Sequence, residues 1–256
     1  MHPFINIWGR TLPSYSLCIF VGILLACPVL IFLSKNFRVK IQDAIYSFIY
    51  AFLGLVVGAK ILFLILNVKS IPQIVSENGF LALFSGGFVV YGGLAGAFLG
   101  TYIYCRQFHL PRPPIFSLLI TATPLIQSCG RLGCLFAGCC YGFPYDGRFS
   151  VLIEGTRRFP VQILCSTLDL ILFLFLLFRG IFSRQKHLQL PLYMILYSTG
   201  RFIIEFFRDD SARGFFGPLS TSQWISIVFF ALGILLYQTE RLSKLLPAMV
   251  ASFSKT

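Results

Sequence analysis

Apolar stretches alternate with short polar connectors along the whole chain, near residues 15–34, 43–66, 87–105, 115–138, 161–178, 189–207 and 222–239. Each runs for roughly 18 to 24 residues, long enough for a helix to cross a hydrocarbon core of about 30 Å. The pattern predicts an all-α integral membrane protein with seven transmembrane helices, forming a single transmembrane domain over residues 1–256.

Composition agrees: 57% of the 256 residues are hydrophobic and 12% are charged, outside the range of soluble domains. The net charge of +12 excludes little by itself. Its placement does more, because the basic residues flank the apolar stretches and no basic soluble domain exists to carry a nucleic acid. Anionic phospholipid is the expected partner. One set of alternate connectors holds Lys35, Arg38, Lys40, Arg106, Arg112, Arg179, Arg184, Lys186, Arg241, Lys244 and Lys255. The other holds Arg10, Lys69, Arg148, Arg157, Arg158, Arg208 and Arg213, spread over longer segments. The bias predicts an N-terminus outside and a C-terminus in the cytoplasm, with outward loops at 67–86 and 139–160. Around VLIEG the second loop alternates in a way that predicts a short hairpin.

Leu24-Leu25-Ala26-Cys27 resembles a lipoprotein cleavage box, but the apolar run continues through PVLIFLS and its positive residues follow it. An ordinary membrane helix is the better reading. In GGFVVYGGLAGAFLG, Gly92, Gly96 and Gly100 share one helix face, which suits close helix packing or a functional surface. Ser85, Gly86 and Gly87 precede that helix, where exposed backbone N–H groups suit a phosphate.

Ionisable residues inside a span are costly unless paired or wetted. Lys60, Arg131, Asp169, Arg201 and Glu205 are in this position. Arg201, Glu205 and Arg208 in GRFIIEFFR share one face at i, i+4 and i+7. Arg131, Cys134 and Gly138 share a face of the fourth span, near its outer end. Together the two stripes suit a cavity where arginines grip a lipid phosphate and Glu205 fixes an arginine or handles a proton. A charge network that only locks helices is the competing reading. Lys60 and Asp169 read as a packing pair or as snorkelling residues.

Of the eight cysteines, Cys18, Cys27, Cys105, Cys129 and Cys165 fall in or beside spans and read as small apolar groups. Cys134, Cys139 and Cys140 lie towards the outward side, in GRLGCLFAGCCYG. Their spacing lacks a second Cys-x-x-Cys and a nearby histidine, so no metal and no cofactor are expected. A Cys134–Cys139 disulfide requires the helix to break near Gly138, because five residues of helix rise about 7.5 Å. A reactive Cys134 thiol beside Arg131 is the other reading.

These segments together resemble the bacterial phosphatidylglycerol–prolipoprotein diacylglyceryl transferases. The resemblance runs over nearly the whole chain: HPF…LPSYSL before span one, SGGFVVYGGL opening span three, GRLG…G…YG ending span four, RFPVQ entering span five, then GRFIIEFFR and LSTSQW. It implies a multi-pass enzyme of the bacterial cytoplasmic (inner) membrane that moves a diacylglyceryl group from phosphatidylglycerol to a signal-peptide cysteine of a prolipoprotein. Arg131 and Arg201 are then expected to hold the lipid phosphate, with Glu205 and Tyr91 catalytic. Tyr15, Ser85, Gly86, Gly87, Gly92, Gly93, Cys134, Cys139, Gly142 and Arg208 are expected to bind substrate.

Three positions depart from the family pattern. Tyr91 stands where a histidine is usual, Cys134 where an asparagine is usual, and Cys139 where a glutamate is usual. A tyrosine, with an ordinary pKa of about 10, is a weak base at neutral pH. A transferase with another acceptor, or a thiol-redox or lipid-binding membrane protein on the same frame, therefore remains as an alternative reading.

Overall fold

The computed structural model describes residues 4–7, 10–72, 76, 79, 87–153, 155–209 and 214–253. Most of them are helical. The helices are α1 (Ser14–Ser34), α2 (Ile41–Leu66), α3 (Val90–Gln107), α4 (Arg112–Ala137), α5 (Val161–Phe182), α6 (Gln189–Glu205) and α7 (Thr221–Phe253). Five of them, α1, α2, α4, α5 and the Thr221–Arg241 part of α7, are long and apolar enough to cross a membrane. Glycines dilute the hydropathy of α3, and α6 is 17 residues long and carries Arg201 and Glu205. Helix α1 runs unbroken through Cys27 and Pro28, as expected of a membrane helix.

Short antiparallel hairpins supplement the helices. The expected one forms between β3 (Val151–Ile153) and β4 (Thr156–Arg158), with Gly155 at φ +78° in its turn. Two others pair β1 (Phe4–Ile7) with β2 (Arg10–Pro13), and β5 (Phe215–Phe216) with β6 (Leu219–Ser220). The outward loop expected at 67–86 lies mostly outside the described residues.

The chain divides into two compact units, one of residues 38–116 and one of residues 1–37 with 117–256. In the first, α2 and α3 meet backbone to backbone. A Cβ added to Gly54, Gly58, Gly92, Gly96 or Gly100 would lie within 2.4 Å of a carbonyl oxygen of the facing helix. The glycine stripe is therefore a packing surface, and without side chains between them the helices gain dispersion contact along their length. Buried Gly93 faces Leu55 and Ala59 in the same seam. Tyr104 donates to Asp43 at 2.9 Å across it. Lys60 sits over the rings of Phe63 and Phe88 at 4.9 and 5.3 Å, a cation–π arrangement that offsets its loss of water.

In the second unit α4 is central. A Cβ on Gly22 would sit 3.0 Å from the Cys129 Cβ, and one on Gly133 would sit 3.0 Å from the Tyr15 Cα, so α1 packs closely along α4. Buried Ser128 and Ser166 clasp α4 to α5: the Ser128 hydroxyl donates to the Ser166 carbonyl at 2.9 Å, and the Ser166 hydroxyl donates to the Ser128 carbonyl at 3.0 Å. Tyr193 on α6 donates to Gln127 at 3.0 Å. Replacing Ser128 by alanine is expected to lower stability by about 1 kcal/mol. Unfolding in detergent checks this, and an unchanged midpoint would show that the clasp contributes nothing.

Candidate active site

Arg131 on α4 and Arg201 on α6 line one cavity of about 380 Å³ between α4, α5 and α6. Its walls are apolar, formed by Leu168, Ile171, Leu172 and Phe175 of α5 with Leu196 of α6, and Asp169 and Tyr197 also reach it. Two guanidiniums converging on a greasy pocket suit a ligand with an anionic head and hydrocarbon tails. Asp169 is 6% exposed and shares this cavity with both arginines. From sequence it reads as a packing or a snorkelling residue, and its signal there is its standing as the one charge in an otherwise apolar TLDLILFLF run.

Arg201 is held from two sides. Its Nη2 lies 2.6 Å from the Glu205 Oε2, and the same nitrogen donates to the Ser222 hydroxyl at 3.2 Å. Glu205 also accepts from the Ser220 hydroxyl at 3.1 Å and lies 4.0 Å from the Arg208 Nε. Glu205 thus stands between two arginines, but α6 ends at Glu205, so Arg208 meets it from beyond the helix and not from the i+7 position of one helical face. Ser220 and Ser222 come from LSTSQW, at the start of α7, and Ser220 is itself fixed by Gln223. Geometry gives Glu205 the work of orienting guanidiniums.

The helix α4 ends at Ala137, and Gly138 turns the chain with φ +71°. Cys140 then takes φ +61°, a left-handed conformation that a non-glycine residue adopts only when its surroundings enforce it. Enforcement is visible on both sides. The Cys139 N–H donates to the Cys134 carbonyl at 3.1 Å, and buried Gln162 of RFPVQ donates to the Cys139 carbonyl at 2.8 Å. The result brings the sulfurs of Cys134, Cys139 and Cys140 within 4.8 Å of one another. Cys134 and Cys139 carry free thiols, so the break at Gly138 that a disulfide required is present without the bond. Hydrogen bonds with the Cys134 and Cys139 thiols, and beyond them the Arg208 guanidinium, hold the Cys140 thiol below the ordinary thiol range.

Gly142 is where the chain crosses itself. Its N–H donates to the Phe159 carbonyl at 3.2 Å, and a Cβ there would come within 2.7 Å of the Phe159 and Phe207 carbonyls. This makes Gly142 an architectural residue that holds the segment after the cysteines against Arg208. Around it Phe143 stacks on Phe159 at 5.5 Å. Arg158 pairs with Asp209 at 2.9 Å and lies over the Tyr141 ring. Sequence reasoning passed over this brace.

Tyr15 opens α1 beside Gly133, two residues along α4 from Arg131. Tyr91 stands in the first turn of α3, half-exposed, in the unit of residues 38–116. Gly87 there takes φ +67° with the Phe63 ring against it. Gly92 and Gly93 are consumed by the α2–α3 seam, which leaves them no open surface for a ligand. Ser85 and Gly86 lie outside the described residues.

The prolipoprotein diacylglyceryl transferase family matches residues 3–239. The chain belongs to this family. It is similar to phosphatidylglycerol–prolipoprotein diacylglyceryl transferase 2 of Clostridium perfringens, with 36% identity over 93% of this chain and 94% of that one. The Clostridium tetani enzyme of that name is 32% identical over 93% of this chain and 97% of its own. A Streptococcus pneumoniae enzyme is 34% identical over 89% and 90%. The match spans both units, so the arginine-lined cavity and the thiol cluster lie within one family-wide frame.

Proposed function

We propose that the chain transfers the diacylglyceryl group of phosphatidylglycerol to the thiol of a prolipoprotein signal-peptide cysteine, forming a thioether. The observation that carries this reading is the pair Arg131 and Arg201 on one apolar-walled cavity, in a chain of this family. Guanidiniums stay charged at any physiological pH and bind phosphate through paired N–H groups. In the reaction the acceptor sulfur attacks the glyceryl carbon, and the carbon–oxygen bond breaks with its electrons going to the phosphate. Negative charge therefore grows on the leaving group, where two fixed cations in a low-dielectric pocket favour the transition state over the ground state.

Glu205 acts as a positioning residue for Arg201 and Arg208. The apolar walls of the cavity accept acyl chain, and Tyr15 borders the phosphate end. The enzyme is one membrane domain of the bacterial cytoplasmic membrane, crossing it seven times with the N-terminus outside. The hydropathy pattern and the charge bias support that topology.

Expression in cells depleted of their own transferase tests the reading. A reporter lipoprotein is expected to gain the mass of one diacylglyceryl group by mass spectrometry. An inserted, stable chain that gives no gain would refute this acceptor and favour a related transferase with another one.

A further inference from the structure

The thiol cluster at the end of α4 supplies no cation of its own to a phosphate, yet three elements build it. Gly138 ends the helix, Cys140 accepts a disfavoured backbone conformation, and Gln162 pins the carbonyl between them. The three sulfurs lie within 4.8 Å of one another.

Zinc binds thiolate at about 2.3 Å, which places sulfurs about 3.8 Å apart around a tetrahedral ion. The cluster needs to contract by no more than about 1 Å to reach that. Three protein ligands with an open fourth position is the pattern of a catalytic zinc site, and four ligands that of a structural one. Charge also balances. Three thiolates and a divalent ion leave one net negative charge, and the Arg208 guanidinium, buried and held by Glu205, borders Cys140. Copper(I) satisfied by three sulfurs would leave two negative charges and no open position.

We propose that Cys134, Cys139 and Cys140 form a three-thiolate zinc site whose open fourth position binds and ionises the thiol that is to be alkylated. This rests on the transferase reading above. A metal-bound thiol is deprotonated outright, so the ion does what a general base would do. It stands where the family pattern has an amide and a carboxylate, and this chain has Cys134 and Cys139. Cys134 lies one helical turn from Arg131, which places the activated sulfur beside the phosphate clamp.

The step balances without redox chemistry. The acceptor thiol displaces a zinc-bound water and loses its proton to that water, which carries it to solvent. The thiolate sulfur then forms a bond to the glyceryl carbon as the carbon–oxygen bond breaks. That electron pair leaves on the phosphomonoester, and the neutral thioether, a weaker ligand than thiolate, departs from the zinc.

The test uses the full chain purified in detergent under reducing conditions. One zinc per chain is expected by elemental mass spectrometry, reduced to background in Cys139→Ser/Cys140→Ser and retained in Arg131→Ala. Cobalt(II) replacing zinc in the wild-type chain is expected to show the charge-transfer and visible bands of tetrahedral thiolate coordination. Those bands should intensify when a cysteine-containing signal peptide is added, as a fourth sulfur binds. Stripping the metal with a chelator should slow lipid transfer about tenfold or more, with recovery on adding zinc. A wild-type chain that binds neither zinc nor cobalt, or binds only copper(I), overturns the proposal. So does transfer that is unimpaired after the metal has been removed. Failure of the transferase reading looks different: the cobalt spectrum forms, but no lipid is transferred with any metal present.

Discussion

Arg201→Ala is expected to lower lipid transfer by about two to three orders of magnitude, the usual effect of removing one group that stabilises developing charge. Arg131→Ala is expected to do the same. Both guanidiniums line the cavity, and both would face a phosphate that gains charge only as the carbon–oxygen bond breaks. The loss should therefore fall on kcat more than on KM, because the interaction strengthens in the transition state. Measuring transfer to a reporter peptide at varied phosphatidylglycerol in mixed micelles separates the two. A variant with unchanged kcat and a raised KM would reduce the arginine to a ground-state anchor.

A neighbouring change distinguishes clamp from scaffold. In Arg201→Lys the cation remains, but the paired N–H geometry towards phosphate and towards the Glu205 carboxylate is lost. Partial activity is expected, well below wild type and above Arg201→Ala. If Arg201 served only to lock α6 to α7 through Glu205 and Ser222, alanine would destabilise the chain and Glu205→Ala would behave identically. Under the clamp reading Glu205→Ala leaves a charged, misdirected Arg201 and a milder catalytic loss. Unfolding midpoints measured alongside transfer rates decide between these.

The helices were legible because their signal is local: a run of apolar residues long enough to cross a membrane leaves little choice of structure. The Arg201–Glu205 pair on α6 was legible for a similar reason, since i, i+4 spacing fixes a face before any tertiary contact is known, whereas Arg208 lies past the end of the helix and reaches Glu205 from a bridge with Gly142. What was not legible depends on chain reversal or on meeting another element. Asp169 shares a cavity with two arginines only because α5 packs beside α4 and α6. The three thiols did not read as a cluster because Cys-x4-Cys-Cys lacks a second Cys-x-x-Cys and a nearby histidine, and only the turns at Gly138 and Cys140 fold the segment back on itself. The hairpins at 4–13 and 215–220 have strands of two to four residues, too short for any alternation to register. Gly142 carried no periodic signal, because its requirement comes from two carbonyls contributed by residues 159 and 207.

Gly96→Ala is expected to destabilise the chain by roughly 3 kcal/mol or more, the upper range for forcing atoms into a packed contact. Gly96→Leu should abolish accumulation of folded protein. The added Cβ would sit 2.0 Å from the Gly54 carbonyl oxygen and 3.0 Å from the Gly58 Cα. Both are backbone atoms, so no side chain can rotate away and α2 must separate from α3. Separation at one point opens the neighbouring contacts at Gly92 and Gly100, because the helices are stiff over this length. Gly130→Ala supplies the control: its Cβ would meet nothing closer than the Ile19 side chain at 3.7 Å, and alanine is the better helix former. That variant should unfold at the wild-type midpoint or slightly above. Equal stability of Gly96→Ala and Gly130→Ala would mean that the α2–α3 seam is looser than backbone contact, and would return the glycine stripe to consideration as a functional surface.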